Sequence, residues 1–219
     1  MTVFQLTDEL IFPPADRADP DGLLAVGGDL SSDRILLAYS QGIFPWYSDD
    51  SPILWWSPDP RLVLFPDELR VSRSLKQVIK KGDYRVTFNT AFKDVIRNCA
   101  SVSRKEGDGT WITDEMTDAY CLLHDRGFAQ SAEAWYGDEL AGGLYGIGLG
   151  NVFFGESMFA KRSNASKVAF VALVTALQAQ GCRVIDCQVR TGHLMSLGAR
   201  EIPRADFVRM LEETFGMPA

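Results

Sequence analysis

The chain is poor in the residues that hold metals. Its 219 residues include two histidines, His124 and His193, and four cysteines at 99, 121, 182 and 187. None falls in an HxxH, HExxH or CxxC spacing, so no metal centre is expected. Thiols without a pairing framework read as reduced cysteines of a cytoplasmic protein, with Cys182 and Cys187 packing as small apolar residues beside a short strand. No apolar run approaches the roughly 20 residues that span a bilayer. The opening MTVFQLTDELIFPP lacks a basic stretch leading into an apolar core, which argues against a secretory signal. Basic charge is also short: 22 Lys and Arg stand against 29 Asp and Glu, for a net −7. That balance disfavours non-specific binding to bulk nucleic acid but leaves room for a local basic patch.

What the chain does have is an ordinary soluble composition, 46% hydrophobic and 23% charged, in a length that fits one domain or two small ones. The first 65 residues read as irregular and rich in Pro and Gly. Asp29-Leu30-Ser31-Ser32 is expected to cap a helix over roughly 32–41, stopped by Gly42. The stretch GIFPWYSDDSPILWWSPDPRLVLFP follows, and its prolines are expected to keep it out of regular ladders. Its tryptophans must pack or present a stacking surface. Trp55 and Trp56 are assigned to packing, and Trp46, alone on a proline turn, to the wall of a ligand site.

Character changes near Pro66, where a second domain, 66–219, is expected to begin. Ser72 caps a helix 73–81 closed by Gly82, with Leu75, Val78 and Ile79 on its apolar face. Arg73, Lys76, Lys80 and Lys81, with Arg70 and Arg85 nearby, form the densest basic patch of an acidic chain. They are the candidate phosphate contacts. Strand 84–88 and helix 90–101 follow, then a helix 114–126 capped by Thr113 with Asp114 and Glu115 in its first turn. Strands 128–136, 139–148 and 152–158 form a meander through Gly-Asp and Gly-Asn turns. A helix 164–180 capped by Asn164, a strand 183–188, a short turn of helix at 192–197 and a last helix from Pro203 to about Phe215 complete the order. GxGxG at 146–150 leads into a strand, not a helix, so phosphate cradling is not assigned to it. The order predicts an α+β fold: a small irregular N-terminal domain followed by a GNAT-like (N-acetyltransferase-type) mixed sheet splayed around an acyl-donor site.

The segment from Phe153 to Gln188 concentrates the chemistry. It brings Glu156 and Asp186 to the ends of two apolar runs, where pockets gather in mixed folds. Along the helix between them, Phe170, Leu173 and Leu177 share one face. By periodicity alone that stripe is core.

The motifs GGDLSSDRILLAYSQGIFPWYS, ILWWSPDPR, GTWITDEM, GGLYGIGLG, GESMF, NASK and IDCQV, in this order, resemble leucyl/phenylalanyl-tRNA–protein transferases from about Phe12 to Pro203. The resemblance implies transfer of leucine or phenylalanine, with methionine as a third candidate donor, from aminoacyl-tRNA to proteins with N-terminal Arg or Lys. It implies marking of those proteins for N-degron degradation, by a cytoplasmic monomer without metal, cofactor or membrane. By the same resemblance Asp186 handles the proton or clamps the acceptor, two readings that stay open. Gln188, on the same strand face, orients the reactants or stabilises an oxyanion. Glu156 holds the acceptor's cationic first residue. Leu144, Phe153, Phe170, Leu173 and Leu177 form the donor pocket, and Trp46, Trp111 and Tyr120 meet the terminal adenosine. The chain has leucine at 173 and 177 where family members place aromatics. It has Thr191 where an asparagine is expected, so Thr191 is left out of the site. No Ser-His or Cys-His pair is evident, in keeping with direct attack of an amine on an ester. The competing enzyme is an acyl-CoA N-acetyltransferase, and the competing non-enzyme is a binder of N-terminal Arg or Lys.

Overall fold

The computed structural model describes residues 3–101 and 112–216. Among these residues there are two sheets. The smaller has four strands in the order β1-β2-β4-β3, from β1 (Phe4–Leu6), β2 (Leu23–Gly27), β3 (Phe44–Pro45) and β4 (Leu54–Trp56). The N-terminal region is therefore not wholly irregular. Pro45 is tolerated because β3 lies at the sheet edge, where its missing N–H costs no ladder bond. Trp55, completely buried, donates its indole N–H to the Gly27 carbonyl at 2.8 Å.

Between β2 and β3 runs α1 (Ser32–Ser40), with Ser31 accepting from the Arg34 N–H as its cap. The Arg34 side chain is buried and donates to the carbonyls of Thr7 and Glu9, tying the chain's beginning to this helix.

The larger sheet has seven strands, ordered β11-β5-β10-β9-β8-β7-β6. Its members are β5 (Arg61–Leu64), β6 (Arg85–Phe88), β7 (Ala129–Tyr136), β8 (Glu139–Leu149), β9 (Val152–Ala160), β10 (Val184–Gln188) and β11 (Arg200–Ile202). The strand Arg61–Leu64, which a boundary at residue 65 assigns to the N-terminal part, pairs inside this sheet between β10 and β11. Neighbours run antiparallel except β9 and β10, which are parallel. The fold is α+β, as expected.

Helices cover both faces. α5 (Ala165–Ala179) and α2 (Arg73–Lys81) bury one apolar cluster. On the other lie α3 (Phe92–Ala100), α4 (Asp114–Asp125), α7 (Arg204–Phe215), α1 and the small sheet. The short α6 (Gly192–Ser196) precedes β11. Ser72 and Thr113 cap α2 and α4 through their hydroxyls, and Gly82 ends α2 in the left-handed region. Asn164 differs from expectation. It precedes α5 at φ +67 with its side chain turned to Ser163, so its amide caps nothing. No described helix is long and apolar enough to cross a membrane.

Candidate active site at the splay of two parallel strands

The site begins where β9 and β10 stop pairing. Their register runs Val184↔Val152, Ile185↔Phe153 and Asp186↔Phe154, and ends there. Each strand then carries an irregularity. On β9, Tyr145 faces Ser157 while Gly146 faces Gly155, so Glu156 is the extra residue of a bulge against β8. On β10, Val63 and Leu62 of β5 face Asp186 and Gln188, with Cys187 as the extra residue. Gln188 itself sits at φ +56. These two distortions part the strands and turn Glu156 and Gln188 toward the gap.

An open cavity of about 360 Å³ fills the splay. Its walls are mainly apolar. Leu144, Phe153, Phe170 and Leu173 contribute, with Met158, Ile185 and Cys187 beside them. Of the expected donor pocket, only Leu177 is absent from the wall, being buried in the core beneath α5. Phe44, Pro45 and Trp46 close another side, Trp46 being 41% exposed and braced by the Trp56 ring at 5.7 Å. Glu156, Gln188, Thr191 and His193 supply polar atoms. Thr191, left out of the site on its departure from the family pattern, thus lines the cavity while its hydroxyl caps α6. The Nε2 atom of His193 is buried without a hydrogen-bond partner, and burial, reinforced by Lys167, pushes this histidine's pKa down.

Asp186 is absent from the cavity wall. It is completely buried, and Arg61, equally buried, grips it bidentately, Nε to Oδ1 at 2.8 Å and Nη2 to Oδ2 at 2.7 Å. The Gln188 N–H adds a third donor to Oδ1 at 3.0 Å. The expectation that Asp186 and Gln188 share a strand face fails at the bulge: Asp186 turns into the core and Gln188 to the cavity. Arg61 also donates to the Gly42 carbonyl and lies 4.9 Å from the ring centres of both Phe44 and Phe207. Through it the strand end is tied to the loop that carries Trp46. Arg61 closes the motif ILWWSPDPR, but its role was not legible in sequence, since 125 residues separate the ion pair.

Glu156 has the opposite environment. Its Oε1 accepts from the Tyr39 hydroxyl at 2.7 Å and the Gln188 amide at 3.0 Å, and its Oε2 from the Tyr120 hydroxyl at 3.1 Å. The two hydroxyls are themselves 2.6 Å apart. Burial, with further upward pressure from Asp186, raises the Glu156 pKa from 4.5 to about 7 despite these donors. Burial, and then the facing carboxylate, push both tyrosines well above their usual range. Tyr120 has no ring face open for an adenine, being buried edge-on against Tyr145. Trp111 lies outside the described residues. Tyr39 was missed because nothing in its local pattern separates it from a core aromatic.

The candidate phosphate contacts Arg70, Arg73, Lys76, Lys80, Lys81 and Arg85 are all exposed. Lys81 pairs with Asp83 at 2.8 Å, and Arg85 stacks over Trp135. The Arg70 N–H bonds to the Leu197 carbonyl just beyond α6, so one end of the basic stretch touches the segment that lines the cavity. Among the described residues, no three His, Cys, Asp or Glu gather as a metal site.

Comparison with known proteins identifies the family. A family profile described as leucyl/phenylalanyl-tRNA protein transferase matches residues 63–212, and one for that family's N-terminal domain matches 28–59. The leucyl/phenylalanyl-tRNA–protein transferase of Anaeromyxobacter sp. (strain Fw109-5) is 60% identical over 218 residues, 100% of this chain and 93% of that one. That of Syntrophobacter fumaroxidans is 60% identical over 213 residues, covering 97% and 91%. Among solved structures, an aminoglycoside acetyltransferase from a soil metagenome overlays 64% of this chain and 93% of its own, with TM-score 0.41 and 13% identity. A GCN5-related N-acetyltransferase from Kribbella flavida overlays 76% and 59%, with TM-score 0.39 and 8% identity. With profile matches over most of its length and full-length relatives at this identity, the chain belongs to the leucyl/phenylalanyl-tRNA protein transferase family and is an aminoacyltransferase.

Proposed function

We propose that the protein moves leucine or phenylalanine from aminoacyl-tRNA to the α-amine of acceptor proteins that begin with Arg or Lys. The observation that carries this reading is the lining of the cavity: mainly apolar walls that also include Glu156 and Gln188. A hydrophobic aminoacyl side chain fits the cavity by burial alone, at about 25 cal/mol per Å² of apolar surface removed from water. The same cavity takes methionine on size and polarity, with leucine at 173 in place of an aromatic leaving more room. A cationic chain terminus is drawn to Glu156, and the exposed face of Trp46 suits the terminal adenine, where stacking is worth ~1–3 kcal/mol.

The chemistry is attack of an amine on an ester already activated toward amines, so holding the two together supplies much of the rate. Gln188 donates one amide hydrogen to Glu156 and keeps the second for the oxyanion that develops on the ester carbonyl. Asp186 takes a supporting part. With both oxygens on Arg61, it holds the Gln188 backbone in its left-handed turn and acts as a positioning residue. The exposed cations of α2 provide phosphate contacts for the tRNA acceptor arm. We assign the protein to the cytoplasm as a monomer, with residues 1–65 contributing Phe44, Pro45 and Trp46 to the wall of a cavity otherwise lined by 66–219, and its product to the N-degron route.

Incubation with labelled leucyl-tRNA and peptides differing only in the first residue tests this. Label is expected on Arg- and Lys-starting peptides and not on Ala-starting ones, without acetyl-CoA. Transfer that requires acetyl-CoA, or saturable peptide binding with no turnover, would replace the proposal with one of its competitors.

A further inference from the structure

The hydrogen bonds around Glu156 do not balance when it is ionised. Three oxygen-to-oxygen contacts close a ring: Tyr39 to Glu156 Oε1, Tyr120 to Glu156 Oε2, and Tyr39 to Tyr120 at 2.6 Å. An ionised carboxylate brings no hydrogen, and two phenols bring one each. Two protons must then serve three contacts, and one pair of oxygens faces without a hydrogen between them. A single added proton repairs this. Glu156 Oε2–H donates to Tyr120, Tyr120 to Tyr39, and Tyr39 to Glu156 Oε1. The ring has room for one proton and no more.

We propose that this Tyr39–Tyr120–Glu156 ring is the proton store of the transfer reaction, with Glu156 as the catalytic base and the two tyrosines as the positioning residues that hold its proton. The inference rests on the aminoacyl transfer proposed above and assigns its proton traffic to a residue other than Asp186. As the acceptor nitrogen bonds to the ester carbonyl carbon, its proton passes to the Glu156 carboxylate and the ring closes. When the bond from that carbon to the ribose oxygen breaks, the same proton goes to the departing oxygen as it becomes a hydroxyl. Neutral amine and ester become amide and alcohol, and Glu156 returns ionised to the next cycle.

Geometry separates the two acids. Glu156 lines the cavity and contacts the Gln188 amide. Asp186 is sealed off, and protonating it would strand a completely buried Arg61. The ring also draws its members from three parts of the chain, α1, α4 and β9, so the small N-terminal portion contributes directly to the reacting carboxylate through Tyr39. A pKa near 7 places Glu156 where a general base works best at neutral pH.

Two readouts test the idea. In wild-type protein carrying ¹³C-carboxyl glutamate, one resonance is expected to titrate near pH 7 and to vanish in Glu156→Gln. In single-turnover transfer from leucyl-tRNA to an Arg-starting peptide, Glu156→Gln is expected to lower the rate at saturating peptide by about 100-fold or more, to raise peptide KM because the carboxylate also attracts the cationic terminus, and to abolish the limb near pH 7. The store is overturned if every glutamate titrates below about pH 5.5, if Glu156→Gln keeps a third of the rate, or if its loss lies wholly in KM. Failure of the wild type to transfer at all would instead remove the proposed function, while the carboxyl titration remained readable.

Discussion

Glu156 and Asp186 lie on adjacent strands, yet their surroundings have opposite effects. Asp186 is matched by a cation of equal burial, while Glu156 faces only neutral donors. An unmatched carboxylate has a consequence for stability that does not depend on substrate. Its pKa is higher in the folded protein, about 7, than the 4.5 it has when exposed. Between those values the folded state holds a proton that the unfolded state has released, so stability falls as pH rises through the interval and the full penalty applies above pH 7. The linkage is worth up to about 3 kcal/mol. Glu156→Gln lacks this group, so urea midpoints are expected to favour the variant increasingly from pH 5 to pH 8. A difference that stays flat with pH would show that Glu156 ionises with its ordinary pKa. The residues of this centre were only half legible in the sequence. Glu156, Asp186 and Gln188 stand at the ends of apolar runs within recognisable motifs, but their partners Arg61, Tyr39 and Tyr120 are chosen by tertiary packing across 125, 117 and 36 residues. A buried arginine or tyrosine looks in sequence like any surface cation or core aromatic.

The elements after Pro66 are close to their expected places because local signals define them. Ser72 and Thr113 cap through their hydroxyls, Gly82 terminates, and alternating apolar residues set the meander. The small sheet was not legible, since its strands are two to five residues long and pair across loops. The insertion of β5 beside β10 was equally hidden. Bulges also leave no trace in a period-two pattern, and here they aim the site. Gly146 is the residue opposite the β9 bulge that admits it. A Cβ there would lie 2.2 Å from the Phe154 carbonyl oxygen and 2.6 Å from the Phe153 ring, and neither can swing away cheaply. Gly146→Ala is therefore expected to lower stability by about 1–3 kcal/mol or more and to press Phe153, a wall of the cavity, inward. Chemical denaturation and donor KM check the two effects together. An unchanged midpoint with unchanged KM would mean that the bulge does not depend on this glycine.

At the scale of the whole molecule, a net charge of −7 has to be reconciled with a polyanionic donor. An acidic body of this kind offers no long-range attraction, so affinity must come from cations concentrated at the binding face, within about one Debye length, ~8 Å in physiological salt. We assign that concentration to the α2 helix. Leu75 is buried and Val78 half-buried against the α5 side, which leaves Arg73, Lys76, Lys80 and Lys81 in solvent. Of these, Lys81 is partly engaged by Asp83, so Arg73, Lys76 and Lys80 are the freer charges. Removing one phosphate-binding cation should reduce the slope of log affinity against log salt by roughly 0.7–0.9, whatever the tRNA sequence. Lys76→Ala/Lys80→Ala/Lys81→Ala is accordingly expected to weaken aminoacyl-tRNA binding in low salt and to flatten its salt dependence by about 1.5–2.5 units, while the single-turnover rate of bound donor stays near wild type. Filter binding over a salt series and a chase of preformed complex measure the two separately. A slope that does not move would take α2 out of the donor interface, and the acidic protein would then have to hold its tRNA chiefly by the terminal adenosine and the aminoacyl side chain.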